Sequence, residues 1–96
     1  RLMGLAADVH PKSSDVHFLH GSALLQLSRL EEAAAALGMA VAIRPVFPEA
    51  LLNRAAALFR LKRFREAEED YGRLLAIAPD YQLAVDALET AKRQTN

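Results

Sequence analysis

The chain has no cysteine and no tryptophan, and four phenylalanines and two tyrosines are its only aromatics. Without cysteine there are no disulfides, no thiolate nucleophile and no thiolate metal site. Charge of either sign is not in excess: Lys+Arg 12 stands against Asp+Glu 12, for a formal net charge of zero. Such a balance offers no electrostatic footprint for nucleic acid or for an acidic membrane surface, and neither is expected as a partner. No apolar run approaches the roughly 18 residues a membrane helix needs. The chain opens at Arg1 with neither an initiator methionine nor a signal peptide, which reads as an excised or processed piece. The compartment is not encoded, and a cytoplasmic one is favoured. Ninety-six residues make one small domain. Its hydrophobic fraction of 52% is swollen by alanine, which suits close-packed helices.

Proline and glycine are scarce, four of each, but they are placed with regularity. Pro11, Pro45 and Pro79 are spaced 34 residues apart, and so are Gly4, Gly38 and Gly72. Chain breakers at a fixed interval mean that one structural unit is reused, and this period selects a helix–turn–helix repeat over ankyrin or leucine-rich units. Residues 14–47 laid on 48–81 match identically at Ala23/Ala57, Leu24/Leu58, Leu27/Leu61, Arg29/Arg63, Glu32/Glu66, Ala33/Ala67, Ala42/Ala76, Ile43/Ile77 and Pro45/Pro79. Leu51, Ala55, Leu58 and Leu61 form an apolar stripe at helical spacing, which predicts a first helix of about 48–61. Phe64, Ala67, Tyr71, Leu74 and Leu75 predict a second over 64–77, and the upstream copy reads as helices near 14–27 and 30–43. Ser13 or Ser14 and Pro48 mark helix starts; Pro45 and Pro79 stop the second helices.

The expected organisation is a single all-α domain over 1–96. Residues 1–11 read as the end of a preceding repeat, 14–47 and 48–81 as full repeats, and 82–96 as a C-terminal capping helix. In that last helix Glu89 and Lys92 stand where the repeats carry Gly21/Ala55 and Leu24/Leu58, so its outer face is solvated. The uncapped start argues for truncation from a longer array or for self-association.

These residues resemble the tetratricopeptide repeat family. Its small–aromatic–small–proline signature appears as Gly21, Ala33, Leu37, Ala40 and Pro45, then Ala55, Ala67, Tyr71, Leu74 and Pro79. His17 and Leu51 occupy the usual tryptophan slot and Leu74 replaces a customary alanine, departures that touch packing detail. The resemblance implies a right-handed α-α superhelix, a solenoid of antiparallel helix pairs. First helices would line a concave groove for an extended peptide or a partner helix.

On that family geometry the peptide-binding groove is expected at Phe18, Ser22, Leu25, Gln26, Leu52, Asn53, Phe59 and Arg60, with Asp15, Leu19, Glu49, Ala56, Leu83, Asp86, Ala87 and Thr90 around them. Leu19, Leu25, Leu52 and Phe59 lie off the main apolar stripe. Either this second face contacts a neighbouring repeat or it is a greasy ligand groove. Asn53 can both donate to and accept from a peptide backbone. Repeats resembling the O-linked N-acetylglucosamine transferase superhelix use an asparagine ladder at this slot; here Leu19 and Ala87 leave it one rung. The carboxylate clamp that holds chaperone tails needs lysines, asparagines and an arginine where this chain has Phe18, Ser22, Asn53, Leu83 and Ala87, so chaperone-tail binding is disfavoured.

Arg60, Lys62, Arg63 and Arg65 form a basic cluster that could meet an acidic partner. The blander account pairs Lys62 with Glu66 and Arg65 with Glu69 along one helix. His17 and His20 lie one turn apart with no third ligand fixed by spacing, so no metal or cofactor is expected. Ser22 has no nucleophile elbow, and no catalytic constellation is apparent. The chain therefore reads as a non-catalytic protein–protein interaction module. Alternatives are the substrate-presenting segment of a larger enzyme, such as a bacterial glycosyltransferase, and a homo-oligomerisation module acting through the N-terminal half-repeat.

Overall fold

The computed structural model describes residues 13–95, which form five helices: α1 (Ser14–Gln26), α2 (Leu30–Ile43), α3 (Pro48–Arg60), α4 (Phe64–Ile77) and α5 (Gln82–Thr95). Among the described residues there is no strand. The expected end of a preceding repeat, residues 1–11 with Gly4 and Pro11, lies outside them.

Helix boundaries follow from local chemistry and recur between the two units. Pro48 occupies the first turn of α3, where its missing N–H has no helical partner to lose. Asp15, Glu31, Glu32, Glu49 and Glu66 sit in first turns, where carboxylates favour the positive end of the helix dipole. α1 and α3 stop one residue earlier than their apolar pattern suggests, because Ser28 and Lys62 adopt left-handed backbone at φ 61 and 65. Each turn closes with paired backbone bonds: Arg29 N–H to Leu24 O and Ser28 N–H to Leu25 O, then Arg63 N–H to Leu58 O and Lys62 N–H to Phe59 O. This satisfies carbonyls a helix end would leave open. α2 and α4 end at Ile43 and Ile77, and the residues that follow, Arg44 and Ala78, leave helical geometry at φ −133 immediately before Pro45 and Pro79.

Each helix packs on the next in the chain, α1 on α2 and α3 on α4 across tight turns, α2 on α3 and α4 on α5 across the proline loops. The outcome is a slab of 52 × 25 × 17 Å. Its interior holds Leu37, Leu51, Leu58 and Leu74, fully buried, among Ala33, Ala40, Ala50, Ala55, Ala57, Ala67 and Ala84. Alanine at so many crossing points lets helix axes come close while the leucines fill the layer between them.

The α1–α2 crossing is close at Gly21. A β-carbon there would sit 2.6 Å from Leu37 Cγ and 3.1 Å from the Leu37 amide nitrogen, so no other residue fits without a shift. In the next unit the same crossing is made by Ala55 and Tyr71, both buried. Gly38 and Gly72, the two described glycines in 34-residue register, are under no such demand: the nearest atom to a β-carbon at Gly38 is Arg54 Nη1 at 3.6 Å, and at Gly72 nothing lies within 4 Å.

Candidate functional site

The eight groove candidates come from α1 and α3, first helices of successive units, which touch along one side. A hydrogen bond links them: Asn53 Nδ2 donates to Ser22 Oγ at 3.1 Å, partly buried. A second, exposed bond runs from Arg60 Nη2 to Ser28 Oγ at 3.1 Å and ties α3 to the α1–α2 turn. Phe18, Leu25, Leu52 and Phe59 rest partly on the core and keep part of their surface in solvent. Packing against the protein's own repeats thus accounts for one side of each. Gln26 is exposed, as are Leu19 at 67% and Leu83 at 58%.

Aromatic contacts mark both ends of this face. At one, the Phe18 and Phe47 rings lie 5.0 Å apart, and the Arg44 guanidinium covers Phe47 at 4.2 Å while reaching Asp15 at 3.4 Å. At the other, beside the α3–α4 turn, Phe59 and Phe64 meet edge to face at 5.1 Å. An open cavity of about 320 Å³ on one side of Phe64 is lined by Lys62, Arg63, Arg65, Glu66 and Thr95; another of about 560 Å³ is lined by Leu30, Phe59, Arg60, Lys62 and Gln94.

The basic cluster at this turn is not paired as helical spacing suggests. Glu66 is held by Arg63 through two bonds, Nε–Oε1 at 2.6 Å and Nη2–Oε2 at 2.8 Å, rather than by Lys62. Arg63 also reaches Glu31 at 3.4 Å. Lys62 is excluded by its own backbone: at φ 65 it has left the helix, so the i, i+4 geometry does not exist. Hydrogen bonding from Arg63 holds the Glu66 carboxyl below its usual value, and the same bond raises Arg63.

One charged feature escaped the repeat pattern altogether. Asp70 is 1% exposed, with Arg54 Nε 3.0 Å from its Oδ2 and Arg73 Nη1 3.7 Å from its Oδ1. Neither carboxylate oxygen meets an aligned N–H, so the pairing is by charge rather than directed hydrogen bonds. Burial pushes its carboxyl up to about 6 despite both arginines. Burial, and then the Asp70 charge, also raise the neighbouring Tyr71 hydroxyl. The available signal was a break in register: Asp70 stands where the first unit has Ala36. Among the described residues no three His, Asp or Glu side chains gather as a metal site requires, and no helix is long and apolar enough to cross a membrane.

Repeated helix hairpins, an alanine-lined core and a partly open apolar face define a helical-repeat interaction domain. Tetratricopeptide repeat models match residues 4–46 and 48–81, and the chain belongs to the tetratricopeptide repeat family. It superimposes on the first tetratricopeptide domain of Spaghetti (RPAP3) bound to the HSP90 peptide SRMEEVD, with TM-score 0.86 and 28% identity over 91% of this chain and 69% of that one. The first tetratricopeptide domain of human RPAP3 gives TM-score 0.84 and 27% identity, covering 93% and 70%. No curated protein matches in sequence.

Proposed function

We propose that this chain binds a polypeptide segment, an extended peptide or a partner helix, across the shared face of α1 and α3. The observation that carries the reading is the Asn53–Ser22 pair, set among the partly exposed Phe18, Leu25, Leu52 and Phe59. One amide hydrogen of Asn53 is used on Ser22. Its carbonyl oxygen and second N–H form no other bond among the described residues, and together they match the acceptor–donor alternation of an extended backbone. Apolar side chains on either side supply anchoring area. The likeness to a domain that carries a bound HSP90 peptide supports a peptide as the class of ligand. The slots of the chaperone-tail clamp hold Phe18, Ser22, Leu83 and Ala87 here, so we infer that a ligand's terminal carboxylate is not gripped by that constellation.

The test is selection from a random peptide library, followed by affinity measurement with variants. Phe59→Ala is expected to weaken a selected peptide by about 1–3 kcal/mol. An Asn53→Ala/Phe59→Ala double variant that folds and binds with full affinity would remove the face from consideration.

A further inference from the structure

We propose that the cavity at the α3–α4 turn is the acidic-segment subsite of this chain: one apolar or aromatic side chain of a partner peptide seats against Phe59 and Phe64, and flanking carboxylates meet Arg60 and Lys62 on its rim and Arg65 in the adjoining cavity past Phe64. The inference rests on the peptide-binding reading for its setting, since Phe59 and Arg60 belong to both.

Three observations converge. The first is shape: about 560 Å³ of open cavity lies between Leu30, Phe59, Arg60, Lys62, Phe64 and Gln94, room for more than one side chain. The second is the floor. Leu30, Phe59 and Phe64 are each partly exposed, and the edge-to-face contact at 5.1 Å fixes both rings, so an entering side chain meets a preformed apolar surface. The third is charge. Of the four cations at this turn only Arg63 has carboxylate partners, Glu66 and Glu31. Arg60 donates to a neutral hydroxyl, Ser28. Among the described residues neither Lys62 nor Arg65 forms an ion pair.

Of the nearby acids, Glu66 and Glu31 are held by Arg63 and Glu68 accepts from Thr95 Oγ1 at 3.4 Å, while the exposed Glu69 makes no ion pair with Arg65. Two cations without a carboxylate partner, Arg60 and Lys62, therefore face the cavity, and a third, Arg65, lines the adjoining cavity past Phe64, in a chain with no net charge. A positive rim over an apolar floor draws carboxylates to the rim and rejects a basic segment. The left-handed backbone at Lys62 takes it out of helical register with Glu66, with which it forms no ion pair, and Lys62 lines the cavity.

The experiment uses a fluorescein-labelled peptide with one phenylalanine flanked by glutamates. Controls are the same peptide with glutamine for glutamate and an oligonucleotide of equal charge. The glutamate peptide should bind at least about ten-fold more tightly than the glutamine peptide, with the advantage shrinking as salt is raised. Lys62→Glu/Arg65→Glu, both exposed and so safe for folding, should abolish that preference while circular dichroism stays unchanged and melting is not lowered. Equal affinity for both peptides, indifference to charge reversal, or equal binding of the oligonucleotide overturns the inference. If non-acidic library peptides bind in an Asn53-dependent way and the charge-reversed chain binds them equally well, the α1–α3 face stands and the acidic subsite falls. If no peptide binds the native chain, both fall.

Discussion

Arg54 places its Nε 3.0 Å from Asp70 Oδ2, and that carboxylate is 1% exposed while the arginine keeps 26% of its side chain in solvent. The pair is asymmetric, with the charge that suffers most from burial on the aspartate. This explains why its carboxyl is raised to about 6 from an ordinary 3.8 although two arginines flank it.

A pH dependence follows. Between the unfolded and folded values the native state holds a proton that the unfolded chain has released. The associated stability is therefore full below about 3.8 and is lost as pH rises through about 6. Lowering the pH from 7.5 to 5 should raise stability by about 1 kcal/mol through this group. Asp70→Asn should remove that gain, and subtracting its melting curves isolates Asp70 from every other titrating group. Identical pH profiles for the two proteins would contradict the assignment.

Gly21 and Gly72 should respond oppositely to alanine. At Gly21 the new β-carbon meets Leu37 Cγ at 2.6 Å, so overpacking outweighs the helix-propensity gain and stability should fall by about 1–2 kcal/mol. At Gly72 nothing lies within 4 Å, and alanine should add about 0.5–1 kcal/mol. Denaturant midpoints at constant m check both. Equal shifts in one direction would mean the α1–α2 crossing is looser than described.

Lys62→Gly should stabilise the fold by about 0.5–1 kcal/mol. A side chain at φ 65 carries a left-handed penalty of about 1–2 kcal/mol, which glycine removes at the expense of greater freedom in the unfolded chain. Ser28 at φ 61 invites the same substitution, though its hydroxyl accepts from Arg60 and the gain should be smaller. Thermal melts of the two single variants would show the order.

The Asn53–Ser22 bond can be measured as a coupling. In a double-mutant cycle with alanine at each position the interaction term should be about 0.5–1 kcal/mol, the range for a partly solvated neutral hydrogen bond. An interaction term of zero would show that the pair adds nothing to holding α1 against α3.

What the sequence determined alone was the unit and its repetition. Pro45 and Pro79 stop α2 and α4, Pro48 starts α3, and the leucine stripe through Leu51 and Leu58 faces inward, because each effect is local to a few residues of chain. Tertiary structure decided which side chains meet across helices. Asn53 finds Ser22 and Arg60 finds Ser28 at separations of 31 and 32 residues, short of the 34-residue period. It also decided that Glu66 goes to Arg63, through a left-handed Lys62 no propensity scale would place there, and that Asp70 lies inside. Periodicity identifies the face a residue occupies; the partner on that face depends on how two rods come to rest against each other.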